Sequence, residues 1–74
     1  MYTGTIISVH IGRGFGFIRY ARGQPDAYFC RADLKGLDFC PQLKERRVQF
    51  DLEQNGKGPH AANVQAAMTS NGGL

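Results

Sequence analysis

The sequence predicts an all-β fold, a small closed barrel of five strands. Three observations carry that expectation. β-branched and aromatic residues gather in short runs, the runs alternate apolar with polar residues, and Gly- or Pro-bearing turns separate them. Closing such a sheet on itself removes its edges, which otherwise offer unpaired N–H and C=O groups to other chains.

Each element follows from its own residues. Tyr2 to His10 is rich in β-branched side chains and stops at Gly12, which predicts strand one. Residues 13–20 predict strand two, and residues 21–26 a turn punctuated by Gly23 and Pro25. Residues 27–31 predict strand three, with Tyr28 and Cys30 on one face and Ala27 and Phe29 on the other. Ala32, Asp33 and Leu34 suit one short helical turn, and residues 37–41 an irregular loop that exposes Phe39. Residues 48–53 alternate without a break, apolar in and polar out, and predict strand four. Residues 55–59 read as a loop and residues 61–68 as a fifth strand. The alanines there suggest helix, but the run is too short and uncapped to stand alone as one.

Seventy-four residues make one small domain, assigned to residues 1–68, with a frayed tail over residues 69–74. An apolar share of 42% suffices for one core. The net charge of +3 is modest, yet unevenly spread. Residues 1–32 carry Arg13, Arg19, Arg22 and Arg31 against Asp26 alone, whereas five bases and five acids balance in the remainder. An anionic ligand is expected where the excess lies. Two cysteines, Cys30 and Cys40, cannot replace a core with a disulfide framework. Neither a basic-apolar leader nor an apolar run of membrane-spanning length is legible, so a cytoplasmic protein with reduced thiols and no membrane partner is expected.

The most informative segment is Arg13-Gly14-Phe15-Gly16-Phe17-Ile18-Arg19-Tyr20. On a strand, Phe15, Phe17 and Arg19 share one face while Ile18 and Tyr20 take the other. Exposed phenyl rings need a flat partner, and the glycines before each are read as leaving lanes for one. Nucleic-acid bases qualify, since stacking one on an aromatic ring contributes about 1–3 kcal/mol. The flanking arginines then meet phosphates. A Gly-rich strand that simply packs its Phe residues in a core is the plainer alternative.

Three segments in order resemble the cold-shock domain family, across about residues 4–64. Residues 13–18 match its first ribonucleoprotein motif, residues 26–34 stand where its second falls, and residues 57–64 match its last strand. The resemblance implies a five-stranded antiparallel Greek-key barrel of the oligonucleotide-binding type. It places Ile6, Val9, Ile18, Phe29, Leu34, Val48, Phe50, Leu52 and Val64 inward. RNA-recognition-motif domains put their shorter aromatic strand before the octet with a helix between, and twelve preceding residues leave no space for that order. This chain also departs from the family pattern. Ser8 stands where an aromatic is usual, Ile7 replaces a lysine on the expected wet face, and Cys30 and Arg31 replace a histidine and an aromatic.

The candidate nucleic-acid-binding residues are accordingly Phe15, Phe17, Tyr28 and Phe39 for stacking and Arg13, Arg19, Arg31 and Lys57 for phosphates. His10 and His60 are candidates for polar or stacking contacts. His10, Cys30 and His60 match no local metal-ligand spacing, so no metal is expected. Gly12, Gly14 and Gly16 lack the Lys-Ser/Thr sequel of a phosphate-cradling loop, and no catalytic constellation is legible, so no enzyme and no cofactor are expected. The leading expectation is a monomeric binder of single-stranded RNA or DNA with low sequence preference, acting like an RNA chaperone. The alternative is a degenerate member of the family that binds a protein, motivated by Ser8, Cys30 and an exposed Ile7.

Overall fold

The computed structural model describes residues 2–56 and 58–67. Lys57 and the expected tail lie outside the described residues. Five strands form: β1 (Tyr2–His10), β2 (Phe15–Arg19), β3 (Ala27–Cys30), β4 (Arg47–Asn55) and β5 (Gly58–Ala66). They close into a barrel in the order β1-β2-β3-β5-β4, with β4 returning to β1. The expected all-β barrel of five strands is therefore the observed architecture. Its pairings are antiparallel except at the seam, where β3 and β5 run parallel with Tyr28 opposite His60.

Strand two is shorter than its motif. Arg13 and Gly14 belong to the turn after β1, where both of their N–H groups donate to the His10 carbonyl, at 3.1 and 2.9 Å. Gly14 reaches that geometry at φ +77°, a left-handed conformation that disfavours a Cβ. Strand three also ends one residue early, because Arg31 opens a 3₁₀ turn over Arg31–Asp33. A second 3₁₀ turn, Pro41–Leu43, was not expected from the sequence. Strand five begins at Gly58, inside the segment read as a loop, and opens with Gly58 opposite Asn55 and Pro59 opposite Gln54.

Two bulges reset the side-chain parity. Ile6 lies opposite Ile18 and Ser8 opposite Phe17, so Ile7 is an extra residue in β1. Ile6 and Val9 both turn toward the core as a result, although their odd spacing forbids it on a regular strand. Ile7 is half-buried at this bulge, which corrects the expectation of an exposed apolar side chain. The second bulge lies in β5, where Gln65 faces Gln49 and Ala62 faces Asp51. Asn63 adopts φ +53° there, a conformation asparagine tolerates better than most residues, and its Nδ2 donates to Asp51 Oδ2 at 2.8 Å.

The buried core is Ile6, Ile18, Ala27, Phe29, Leu43, Val48, Phe50, Ala61 and Val64. Six of these are among the nine expected inward positions. The other three, Val9, Leu34 and Leu52, pack against the cluster while partly exposed. Ala27, Ala61 and Leu43 complete it. Two alanines suit the seam, where β3 and β5 approach, and Leu43 is delivered by the unexpected 3₁₀ turn. Tyr20 stacks edge-on against Tyr2 (5.7 Å) and Phe50 (5.9 Å), which extends the apolar contacts beyond the end of β2.

Gly16 is the tightest point of this core. It alternates with Phe15 and Phe17 and so points inward, beneath the Phe29 ring. It opens no lane for a ligand, contrary to expectation. A Cβ there would lie 2.5 Å from the Ser8 carbonyl oxygen and 2.8 Å from Phe29 ring carbons. Gly16→Ala is therefore predicted to lower stability by about 1–3 kcal/mol through overpacking. Gly12→Ala, where an added Cβ meets nothing within 4 Å, should change it little. Urea unfolding of the two variants, followed by circular dichroism, checks the contrast.

Candidate nucleic-acid interface

Strand register lines up one row of side chains across the outside of the barrel. Ser8 on β1 faces Phe17 on β2, Phe17 faces Tyr28 on β3, Tyr28 faces His60 on β5, and His60 faces Glu53 on β4. A shorter row runs beside it, from His10 through Phe15 to Cys30. Alternation sends Gly16, Ile18, Ala27 and Phe29 into the core from these same strands, so the outer row follows from the inner one.

The rings on this face support one another. Phe15 and Phe17 meet edge to face at 5.6 Å and 85°. His10 lies nearly parallel over Phe15 at 4.7 Å and 19°, and edge-on to Phe17 at 6.1 Å. Tyr28 and His60 tilt together at 4.7 Å and 31°. Phe15, Phe17 and Tyr28 are half-buried, neither enclosed in the core nor fully solvated. Mutual contact of this kind hides part of each ring from water while leaving the rest accessible.

The expected cations are dispersed around the rings. Arg13 is exposed in the turn before β2. Arg19 is exposed at the end of β2, with its Nε 3.7 Å from Asp26, a surface contact of small energetic weight. Arg31 is exposed with its guanidinium 5.4 Å above the Phe39 ring. Phe39 is not the exposed loop aromatic that was expected. It leans on the core, edge-on to Phe29 at 6.3 Å, and is half-buried beneath Arg31.

Sequence reasoning missed the carboxylates of this face. His60 Nε2 lies 2.8 Å from Asp33 Oδ2, and its Nδ1 lies 3.1 Å from Glu53 Oε1. Asp33 Oδ2 also accepts the Cys30 N–H at 2.8 Å, and Asn55 Nδ2 donates to the Tyr28 hydroxyl at 3.3 Å. Ionised carboxylates only accept, so the imidazolium, with an N–H on each ring nitrogen, is the form of His60 that can donate to both. Partial burial opposes that charge. The hydrogen bonds and charges of Asp33 and Glu53 outweigh it and raise the His60 pKa above the usual histidine value. Asp33 lies 27 residues from His60 in sequence, and Glu53, 7 residues away, meets it through the β4–β5 pairing, so no local motif signals them. Among the described residues no group of His, Cys, Asp or Glu is arranged to hold a metal ion.

A closed five-stranded barrel bearing a row of aromatic rings on its outer strands defines an oligonucleotide-binding fold. The chain matches the family model described as the 'Cold-shock' DNA-binding domain over residues 2–67. It belongs to the cold-shock domain family, whose members bind single-stranded nucleic acids. It is 38% identical over 64 residues to cold shock-like protein CspB of Yersinia pestis, covering 86% of this chain and 91% of that one. It is 31% identical over 67 residues to cold shock protein ScoF of Streptomyces coelicolor, covering 90% of this chain and all of that one. The solved structure titled drosophila Unr CSD456 superposes with a TM-score of 0.68 at 20% identity, over 89% of this chain and 26% of that one, which shows a shared fold.

The His60 cluster has a consequence for folding. A histidine whose pKa is raised in the folded state contributes stability fully below its ordinary pKa of about 6.5, and the contribution is lost as pH rises through the folded value. The midpoint of urea unfolding should therefore fall for the wild type as pH climbs from about 6.5 through the folded-state value. His60→Gln should flatten this part of the profile, and an unchanged profile would deny His60 its charge.

Proposed function

We propose that this protein binds single-stranded RNA or DNA by stacking successive bases on Phe15, Phe17 and Tyr28, while arginines meet the backbone. The observation that carries this reading is the in-register row of half-exposed rings across β2 and β3, on a fold whose family binds such ligands. Arg13, Arg19 and Arg31 stand exposed around the rings, and their dispersal suits a mobile strand better than a rigid duplex. Base stacking is tolerant of sequence because every base has a π-face, so low specificity follows. Such binding would trap weakly paired RNA in its open form without consuming ATP, the action of a cytoplasmic RNA chaperone working as a monomer.

The protein-docking alternative has lost one of its motives. Ile7 is half-buried, and of the exposed large apolar residues among those described, Tyr2 opens β1 and Ile11 lies in the turn after it. They form no joint patch.

Quenching of tyrosine fluorescence by short oligonucleotides tests the proposal directly, as the chain has no Trp. The slope of log affinity against log salt should be shallow, about −1 to −3, given about 0.7 per phosphate contacted on a single strand. Oligonucleotide binding that ignores salt would contradict the role given to the arginines.

Substitutions on the face give a second test. Phe17→Ala should weaken binding by about 1–3 kcal/mol and leave the barrel folded. Ser8→Trp, which adds a ring beside Phe17 in the same row, should tighten it by up to a similar amount. Loss of the folded state in Phe17→Ala, with no gain from Ser8→Trp, would mean that this face stacks no bases.

A further inference from the structure

We propose that Asp33, His60 and Glu53 form a positioning device for Tyr28, which makes oligonucleotide binding strongest while His60 holds its proton. The inference rests on the preceding reading, in which Tyr28 stacks a base. None of the three side chains needs to touch the ligand.

The device stands at the thinnest join of the barrel. β3 and β5 share one register pair, Tyr28 with His60, and the strand path continues through an isolated bridge between Leu34 and Val64. Lys35 N–H adds a bond to the Val64 carbonyl at 2.7 Å. Where so few ladder bonds fix two strands, side-chain contacts decide how their surface rings lie. Asp33 Oδ2 joins the end of β3, through the Cys30 N–H, to His60 on β5. Glu53 joins His60 to β4. Tyr28 is thereby held on its ring face by His60 and at its hydroxyl by Asn55. His60 keeps only 17% of its side chain exposed and gives both nitrogens to carboxylates, which makes it a poor ligand contact and a good support.

Deprotonation undoes this arrangement in two ways. A neutral imidazole has one N–H, so one carboxylate then faces a ring lone pair and loses its hydrogen bond. The array also goes from a net charge of −1 to −2 beside the surface where phosphates would run. Both changes disfavour the ligand. The groups facing His60 are Tyr28 from β3, Glu53 from β4 and Asp33 from the first 3₁₀ turn. Nearby, Cys30 donates its N–H to Asp33, Asp51 is engaged by Asn63, and Arg31 lies over Phe39. None of the described cations neutralises the pair in place of His60.

The test compares two titrations of one protein. The midpoints of His60 and His10 are read separately from their imidazole proton resonances, and the affinity for a short oligothymidylate is measured by calorimetry from about pH 5.5 to about pH 9. Affinity should hold below the His60 midpoint and fall about threefold to tenfold above it. Asp33→Asn and Glu53→Gln should each lower the His60 midpoint and carry the fall in affinity to the same lower pH. The proposal is overturned if wild-type affinity is flat through the His60 titration, if the fall tracks His10, or if a variant moves the His60 midpoint without moving the fall. The wild-type profile requires no substitution, so a variant that does not fold leaves the test standing. A wild type that binds no oligothymidylate at any pH, even at low salt, would overturn the functional reading itself.

Discussion

The contact between the Phe29 ring and the backbone at Gly16 sets the orientation of the surface on which the rest depends. Phe29 is wholly buried, and it occupies the space that a side chain on β2 would otherwise fill. With residue 16 pressed inward, alternation turns Phe15 and Phe17 outward, and on β3 it turns Tyr28 outward beside the inward Phe29. One buried aromatic thus orients three surface aromatics. The arrangement is stable because the outer rings are not left singly in water. They lean on one another and on two histidines, at centroid distances from 4.7 to 6.1 Å.

Bulges give the barrel the curvature that regular strands resist. The extra residue in β1 lets Ile6 and Val9 share the core, and the one in β5 does the same for Ala61 and Val64. The β1 bulge also leaves Ser8 opposite Phe17 and His10 opposite Phe15, so it decides which β1 side chains join the candidate interface. Strand closure and surface composition are therefore set by the same local irregularity. Ser8 leaves the row of rings without an aromatic at its β1 end.

Charge on the candidate interface is divided. Arginines ring the β1–β2 and β3 side, while Asp33 and Glu53 hold His60 on the β5 and β4 side. A backbone of phosphates would be drawn to the first and kept from the second, which gives the surface a direction as well as an affinity. Among the described residues, Asp33 and Glu53 are paired with His60, a titratable group rather than a fixed cation, so the balance there is conditional where an arginine's is not.

Much of this protein is determined by short-range pattern. Five strands and the outward pairing of Phe15, Phe17 and Tyr28 follow from period-two alternation and from motifs a few residues long, and six of the buried core residues from the family resemblance. What the sequence alone did not determine depends on contacts between distant segments. The bulge at Ile7 is invisible without the opposing strand, and so is the inward role of Gly16, whose missing side chain is explained by the Ser8 carbonyl and the Phe29 ring. Phe39 looks exposed in an irregular loop, yet tertiary packing gives it the flank of Phe29 and a guanidinium cover. Asp33, Glu53 and His60 meet because β5 closes the barrel against β3 and β4. Alternation can place a side chain on a face, but only the closed barrel brings two carboxylates and an imidazole within hydrogen-bonding distance, and so raises the His60 pKa.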